Sequence, residues 1–162
     1  MNSKTLIEQL ELAPHPEGGY YKEIFRSDIP ISNGLGQKKV ASTAIYYLLE
    51  STDFSTFHRI TSDEGWHYYQ GNSCLIVHEI QEDGTYIAHR LSNDLERGQF
   101  FSMIKAGSWF AANLEEQESG NFALVGCTVA PGFEFEDFEI ADARTLSKKY
   151  PQHQALIQQL SR

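Results

Sequence analysis

Phe57-His58-Arg59-Ile60-Thr61-Ser62-Asp63-Glu64-Gly65-Trp66-His67-Tyr68-Tyr69-Gln70-Gly71 is the densest chemical stretch of the chain. It reads as strand, turn and strand. Side chains alternate between the two faces of a regular strand. His58 is therefore expected beside Phe54, Thr56 and Ile60, and Glu64 beside Trp66 and Tyr68. A histidine and a carboxylate among apolar and aromatic neighbours lose water. That raises a carboxyl pKa and lowers an imidazole pKa. Such groups suit proton transfer near neutral pH. The structural alternative is a hydrogen-bonded pair that holds a core together, and the residues alone leave both open.

Working outward, short runs rich in Tyr, Phe, Ile, Val and Thr recur between Gly, Asn, Asp and Ser clusters. They predict strands near 20–26, 41–49, 54–60, 65–70, 73–80, 85–91, 99–104, 107–113, 121–129 and 134–139. That spacing argues for an all-β sandwich or barrel. Asp83-Gly84 is a two-residue hairpin signal. Thr5 and Glu8 read as a capping box opening a helix over about 5–12, with Leu6, Ile7 and Leu10 on one face and Pro14 and Pro16 beyond its end. Asp142 caps a second helical region over about 143–161, which carries Leu146, Leu156, Ile157 and Leu160, with Pro151 opening a turn inside it. The reading is a single domain over 1–162, with a β core at about 20–140 and a short helical segment at each end.

The 162 residues are 41% hydrophobic, 12% aromatic and 22% charged, which excludes a disordered or coiled-coil chain. A formal net charge of -9 makes the chain a poor partner for phosphate backbones, so no nucleic-acid binding is expected. No long apolar run is present, so no membrane partner is expected, and the first fourteen residues do not read as a signal peptide. Cys74 and Cys127 sit in apolar runs and read as buried free thiols of a reducing cytoplasm, which makes a cytoplasmic location the expectation. Between Lys105 and Arg144 the acids stand without a basic residue. Phe133, Phe135 and Phe138 interleave with Glu134, Glu136 and Asp137, as in a half-exposed strand.

Two further groups carry polar side chains. If Asp83-Gly84 is a two-residue turn, Ile80 faces Ile87 and His78 faces His89, with Cβ atoms about 4.5–5.5 Å apart. No carboxylate joins them, so a packing role is the reading over a metal or a pH-sensitive pair. His15-Pro16-Glu17-Gly18-Gly19-Tyr20 is either a tight turn joining helix to strand or a loop covering one barrel end, placing His15 or Glu17 beside a ligand. Neither a phosphate-loop signature nor a nucleophile elbow is present.

His58, Glu64 and Gly71 keep the spacing of part of the first cupin motif, G-x5-H-x-H-x3-4-E-x6-G. Ala106 to Phe110 falls where the second motif would lie. More specifically, Leu12 to Tyr20 (LAPHPEGGY), Phe57 to Gly71, Pro131 to Phe138 (PGFEFEDF) and Tyr150 to Leu160 (YPQHQALIQQL) resemble the small cupin-5 family, formerly a domain of unknown function. The resemblance implies a jelly-roll β-barrel with short terminal helices, a homodimer, and a pocket inside the barrel. It also implies a fold similar to the dTDP-4-dehydrorhamnose 3,5-epimerases. The metal ligands of cupins are incomplete here, since Ile60 and Phe110 stand at two of the four ligand positions. No cofactor is therefore expected. The alternative is a divalent metal held by His58, Glu64 and, if a bulge at Gly65 re-aims it, His67.

The leading expectation is a metal-independent sugar-nucleotide epimerase or isomerase. His58, Glu64 and Tyr68 are its candidate catalytic residues. Tyr46, Phe57, Trp66, Trp109, His15 and Glu17 are its candidate ligand contacts. A non-catalytic carbohydrate or nucleotide binding module and a metal-dependent cupin enzyme are the alternatives.

Overall fold

A computed structural model describes residues 1–32 and 34–162. In chain order the elements are α1 (Ser3–Leu10), β1 (Ala13–Pro14), β2 (Tyr20–Arg26), β3 (Pro30–Ser32), β4 (Lys38–Val40), β5 (Thr43–Glu50), β6 (Phe54–Arg59), β7 (Asp63–Gly71) and β8 (Leu75–Ile80). There follow β9 (Tyr86–Leu91), β10 (Phe101–Ile104), β11 (Trp109–Leu114), β12 (Phe122–Ala130), β13 (Glu139–Ile140), α2 (Ala143–Lys149) and α3 (Gln154–Gln159). The large sheet has the order β1-β2-β5-β12-β7-β10, the smaller β13-β6-β11-β8-β9, and β3 and β4 form a separate hairpin. The two sheets face each other as a jelly-roll barrel. Sequential neighbours such as β6 and β7 lie in different sheets, so the chain crosses between the layers.

Apolar side chains fill three layers. Between the sheets lie Tyr47, Leu49, Trp66, Tyr68, Leu75, Val77, Phe110, Leu114 and Val125. Outside the smaller sheet, Phe57, Ile80, Trp109 and Ala111 pack against Leu146, Tyr150, Ile157 and Leu160. Outside the large sheet, Leu48, Phe122 and Leu124 pack against Leu6 of α1 and Leu12. Strands such as β12 are buried on both faces for this reason, which is why they read as continuous apolar runs rather than alternating ones.

Two register shifts re-aim side chains. In β6, His58 pairs with Phe110 and Ser55 with Ala112, so Thr56 and Phe57 together oppose Ala111. This bulge turns His58 inward and Phe57 out toward the helices. In β2, Glu23 pairs with Ile45 and Phe25 with Ala44, so the chain bulges at Ile24 and Arg26 joins Tyr21 and Glu23 on the inner side.

Several local expectations are corrected. The helix near the start opens at Ser3, because the Asn2 side chain accepts from the Thr5 amide at 2.9 Å; Thr5 and Glu8 are not its cap. The hairpin after β8 is longer than two residues: the Gln81 amide donates to Thr85 and Gly84 sits at φ +88°. The register therefore slips by one, Ile80 faces Tyr86 and His78 faces Ala88. His78 bonds Tyr86 and Asn113 at 2.8 Å each, while His89 bonds Glu79 at 2.7 Å, so the two histidines do not meet. The stretch 134–139 is not a strand. A 3₁₀ turn at Phe135–Asp137 precedes the two-residue β13. No register shift falls at Gly65; the shift in β7 lies near Tyr69. No helix among the described residues is long and apolar enough to cross a membrane.

Candidate functional site

One end of the barrel encloses a cavity of about 130 Å³. β2, β5 and β12 form one wall with Tyr21, Ile45, Cys127 and Val129, and β6 and β7 supply His58, Ile60 and Glu64. The loop before β2 brings His15 and Glu17. A strap after β12 closes the end with Phe133, Phe135 and Phe138. Glu23, Arg26 and Glu134 stand at the mouth, where the Arg26 guanidinium is partly exposed.

The His15–Gly19 loop is anchored on every side. The Gly18 amide donates to the His15 carbonyl and the Thr56 amide to the Glu17 carbonyl. The Tyr47 hydroxyl donates to the Gly18 carbonyl at 2.7 Å, and the Gly19 amide donates to Asp53 at 2.8 Å. Gly18 sits at φ +110°, and a Cβ there would meet the Phe54 carbonyl oxygen at 2.1 Å. Only glycine fits this turn, and the turn delivers Glu17 into the barrel.

Glu17 is 6% exposed, His58 3% and Glu64 8%, so three ionisable groups share a nearly dry space. His58 Nδ1 lies 2.7 Å from the Thr56 carbonyl, which can only accept, so Nδ1 carries a proton. His58 Nε2 then faces Glu17 Oε2 at 3.1 Å, a close contact without hydrogen-bond alignment. Burial pushes the Glu17 carboxyl up and takes the His58 imidazole down to about 4, so it opposes charge on either side chain and leaves His58 neutral at pH 7. Burial, reinforced by the nearby Glu17 charge, pushes Glu64 to about 8. Glu64 is thus a neutral acid at pH 7, beside the buried Cys127 thiol, which burial and Glu64 hold well above its ordinary range. The His15 Nδ1 accepts from the Glu17 amide at 3.1 Å, and burial lowers its pKa too.

Of the residues singled out in the sequence, His15, Glu17, His58 and Glu64 line this cavity. The partner of His58 is Glu17 rather than Glu64, because the bulge and the glycine turn bring β6 and the loop together. The other six lie elsewhere. Phe57 and Trp109 face α2 and α3. Tyr46 packs outside the large sheet beside α1 and edge-on to Tyr69. Trp66 is buried in the barrel core beyond the cavity. The Tyr68 hydroxyl donates to the Ser73 carbonyl at 2.7 Å, away from the cavity, and burial pushes it to about 12. His67 points outward, bonded to Thr128 at 2.9 Å and packed on Phe101. Sequence reasoning missed Tyr21, Glu23 and Arg26, the last of which turns inward through the bulge at Ile24, and missed that the three phenylalanines close the cavity.

A metal fits this donor set poorly. Ile60 lies in the cavity and Phe110 in the core where further ligands would be needed, and His67 lies on the opposite face of β7. Among the described residues no three His, Cys, Asp or Glu side chains are grouped to hold an ion.

The chain is similar to proteins of known sequence and structure along nearly its whole length. It is 30% identical over 147 residues to the uncharacterized protein YML079W of Saccharomyces cerevisiae, covering 83% of this chain and 72% of the yeast protein. A hypothetical protein from Leishmania major superposes with a TM-score of 0.91 at 33% identity, covering 99% of both chains. A crystal structure from Shewanella oneidensis gives 0.89 at 34% identity, covering 100% of this chain and 98% of the other. Bacillus subtilis oxalate decarboxylase, at 11% identity and a TM-score of 0.54, covers 91% of this chain and 36% of its own, and shares the fold alone. With the model of the family described as Cupin superfamily (DUF985) matching residues 4–141, the chain belongs to that family, Cupin_5.

Proposed function

We propose that the cavity binds a small carbonyl compound and moves a proton at the carbon beside its carbonyl, as a metal-independent isomerase or epimerase of the keto-sugar type. The observation that supports this is the buried Glu17–His58 contact at 3.1 Å beside the protonated acid Glu64. The neutral His58 imidazole takes the substrate C–H proton on Nε2 and becomes an imidazolium of charge +1, with Glu17 at 3.1 Å beside it. The electrons of that bond move onto the carbonyl oxygen as an enolate of charge -1. The Glu64 hydroxyl donates to that oxygen, as a buried neutral acid does best where charge develops. Return of the proton to the other carbon, or to the other face of the same carbon, completes isomerisation or epimerisation. Glu17 and His58 are the proposed catalytic residues and Glu64 the oxyanion donor, whereas Tyr68 has no part.

The test is solvent exchange. Incubation of keto-sugars with the protein in deuterated water is expected to label the carbon beside the carbonyl. Glu17→Gln and His58→Phe are each expected to slow labelling by about 100-fold or more. Labelling that survives both changes rejects the assignment. Stabilisation by a ligand without any labelling assigns the cavity to a binding module instead.

We further propose a homodimer, for which the exposed Tyr69, Phe101 and Met103 on the outer face of the large sheet supply an apolar patch. Light scattering is expected to give twice the 18.4 kDa chain mass, falling to one chain in Tyr69→Glu/Phe101→Glu. A monomeric parent removes this partner.

A further inference from the structure

The size and charge of the cavity narrow the ligand class, on the premise that the proton-transfer site above is the one in use. The space inside the cavity, about 130 Å³, is below the roughly 300 Å³ where pockets for drug-sized ligands begin. It is close to the roughly 150 Å³ of a cavity that holds one benzene ring. A single ring or a chain of equal bulk fits. Tyr21 and the three phenylalanines of the strap wall it with rings.

The charges limit the ligand further. The cation among the described lining residues is Arg26, and it is already engaged. Its Nε and Nη2 donate to Glu23 at 2.9 and 2.8 Å, its Nη1 to Glu134 at 2.7 Å, and Nη2 also to the Phe133 carbonyl at 3.1 Å. A diphosphate at the mouth would meet two carboxylates and a guanidinium that must first leave both. Deeper in, Glu17, Glu64, His15 and His58 offer hydrogen bonds but no fixed positive charge. Neutral carbonyl and hydroxyl groups match that set, whereas a phosphate or carboxylate would be buried without a counter-charge.

We infer that this cavity takes an uncharged carbonyl or hydroxycarbonyl compound of about one ring in size, and that sugars linked to a nucleoside diphosphate are not its ligands. The probes are 2-hydroxycyclohexanone and, for the charged class, UDP-glucose and a dTDP-linked 4-keto-sugar. At about ten times its Kd the ring compound is expected to raise Tm by about 3–6 °C, while the nucleotide sugars leave Tm unchanged. Ile45→Trp, which fills the cavity, is expected to abolish the shift. Should that variant not fold, line broadening of the ring compound in NMR, lost with Ile60→Phe, replaces it. Glu23→Gln and Glu134→Gln, which remove the carboxylates that hold Arg26, are expected to strengthen binding of a phosphate. A Tm rise with a nucleotide sugar, or no response to the ring compound, overturns the inference. Ring binding without deuterium exchange supports the ligand class while removing the proton-transfer reading. Exchange confined to the nucleotide-linked keto-sugar does the reverse.

Discussion

Glu64 and His58 leave opposite marks on the pH dependence of stability. Glu64 titrates near 8 when folded against an ordinary 4.5, so between these values the folded chain holds a proton that the unfolded chain releases. Its contribution is full below about 4.5 and is lost as pH rises through 8. His58 titrates near 4 when folded against an ordinary 6.5, so its contribution is lost as pH falls through that window. Above 6.5 the Glu64 effect stands without opposition from His58, and stability should fall from pH 6.5 to 8. In Glu64→Gln that fall should flatten, which urea denaturation at pH 6.5, 7.25 and 8.5 would read. Parallel curves for the two proteins would contradict the burial argument. At this scale the sequence was informative about which residues carry chemistry. His58 and Glu64 share a compact stretch and Glu17 sits in a glycine-rich turn. It did not show that Glu17 and His58 pair, because their contact spans 41 positions and depends on two backbone irregularities.

Backbone irregularities decide the element scale. The glycine turn before β2 is the clearest case. Gly18→Ala forces a Cβ onto the Phe54 carbonyl at a φ of +110°, so it should cost about 2 kcal/mol or more and displace Glu17. Gly36→Ala is the matched control: φ is +76° and nothing lies within 4 Å, so about 1 kcal/mol is expected. Equal losses in denaturant melts would show that the close approach has no energetic weight. Nine of the predicted strands lie on observed ones within a few residues, because runs such as Thr43–Glu50 combine β-branched, aromatic and leucine side chains with no breaker. The tenth, near 134–139, misled because its apolar-acidic alternation mimics a strand. In the fold, Phe133, Phe135 and Phe138 turn toward the cavity, while Arg26 holds Glu134 at its mouth and Lys39 holds Asp137. The hairpin at Asp83-Gly84 was legible as a turn, but its length was not. One extra residue in the loop slips the register and separates His78 from His89.

For the whole molecule, the outer layer built by α2 and α3 shields the outward face of β6 and β11. The Phe57 amide donates to the Leu160 carbonyl, so the strand that carries His58 is tied to the terminal helix. Ile157→Ala should therefore cost about 2–5 kcal/mol, the usual loss for a fully buried aliphatic side chain, and lower Tm accordingly. A loss under about 1 kcal/mol would mean that the helices pack loosely and do not support the barrel. The sequence by itself determined the all-β class, the short helical segments at both ends and the family, because strand periodicity, turn residues and local motifs act over a few neighbouring positions. Only the tertiary structure decided which side chains share the cavity. It places Phe57, Trp109, Tyr46, Trp66 and Tyr68 outside this cavity, and it brings Glu17 to His58 and Glu64. Each bulge reverses the inside and outside of a strand. Closure of the barrel then brings together residues from the loop, five strands and the strap, and neither event has a signature within a short window of sequence.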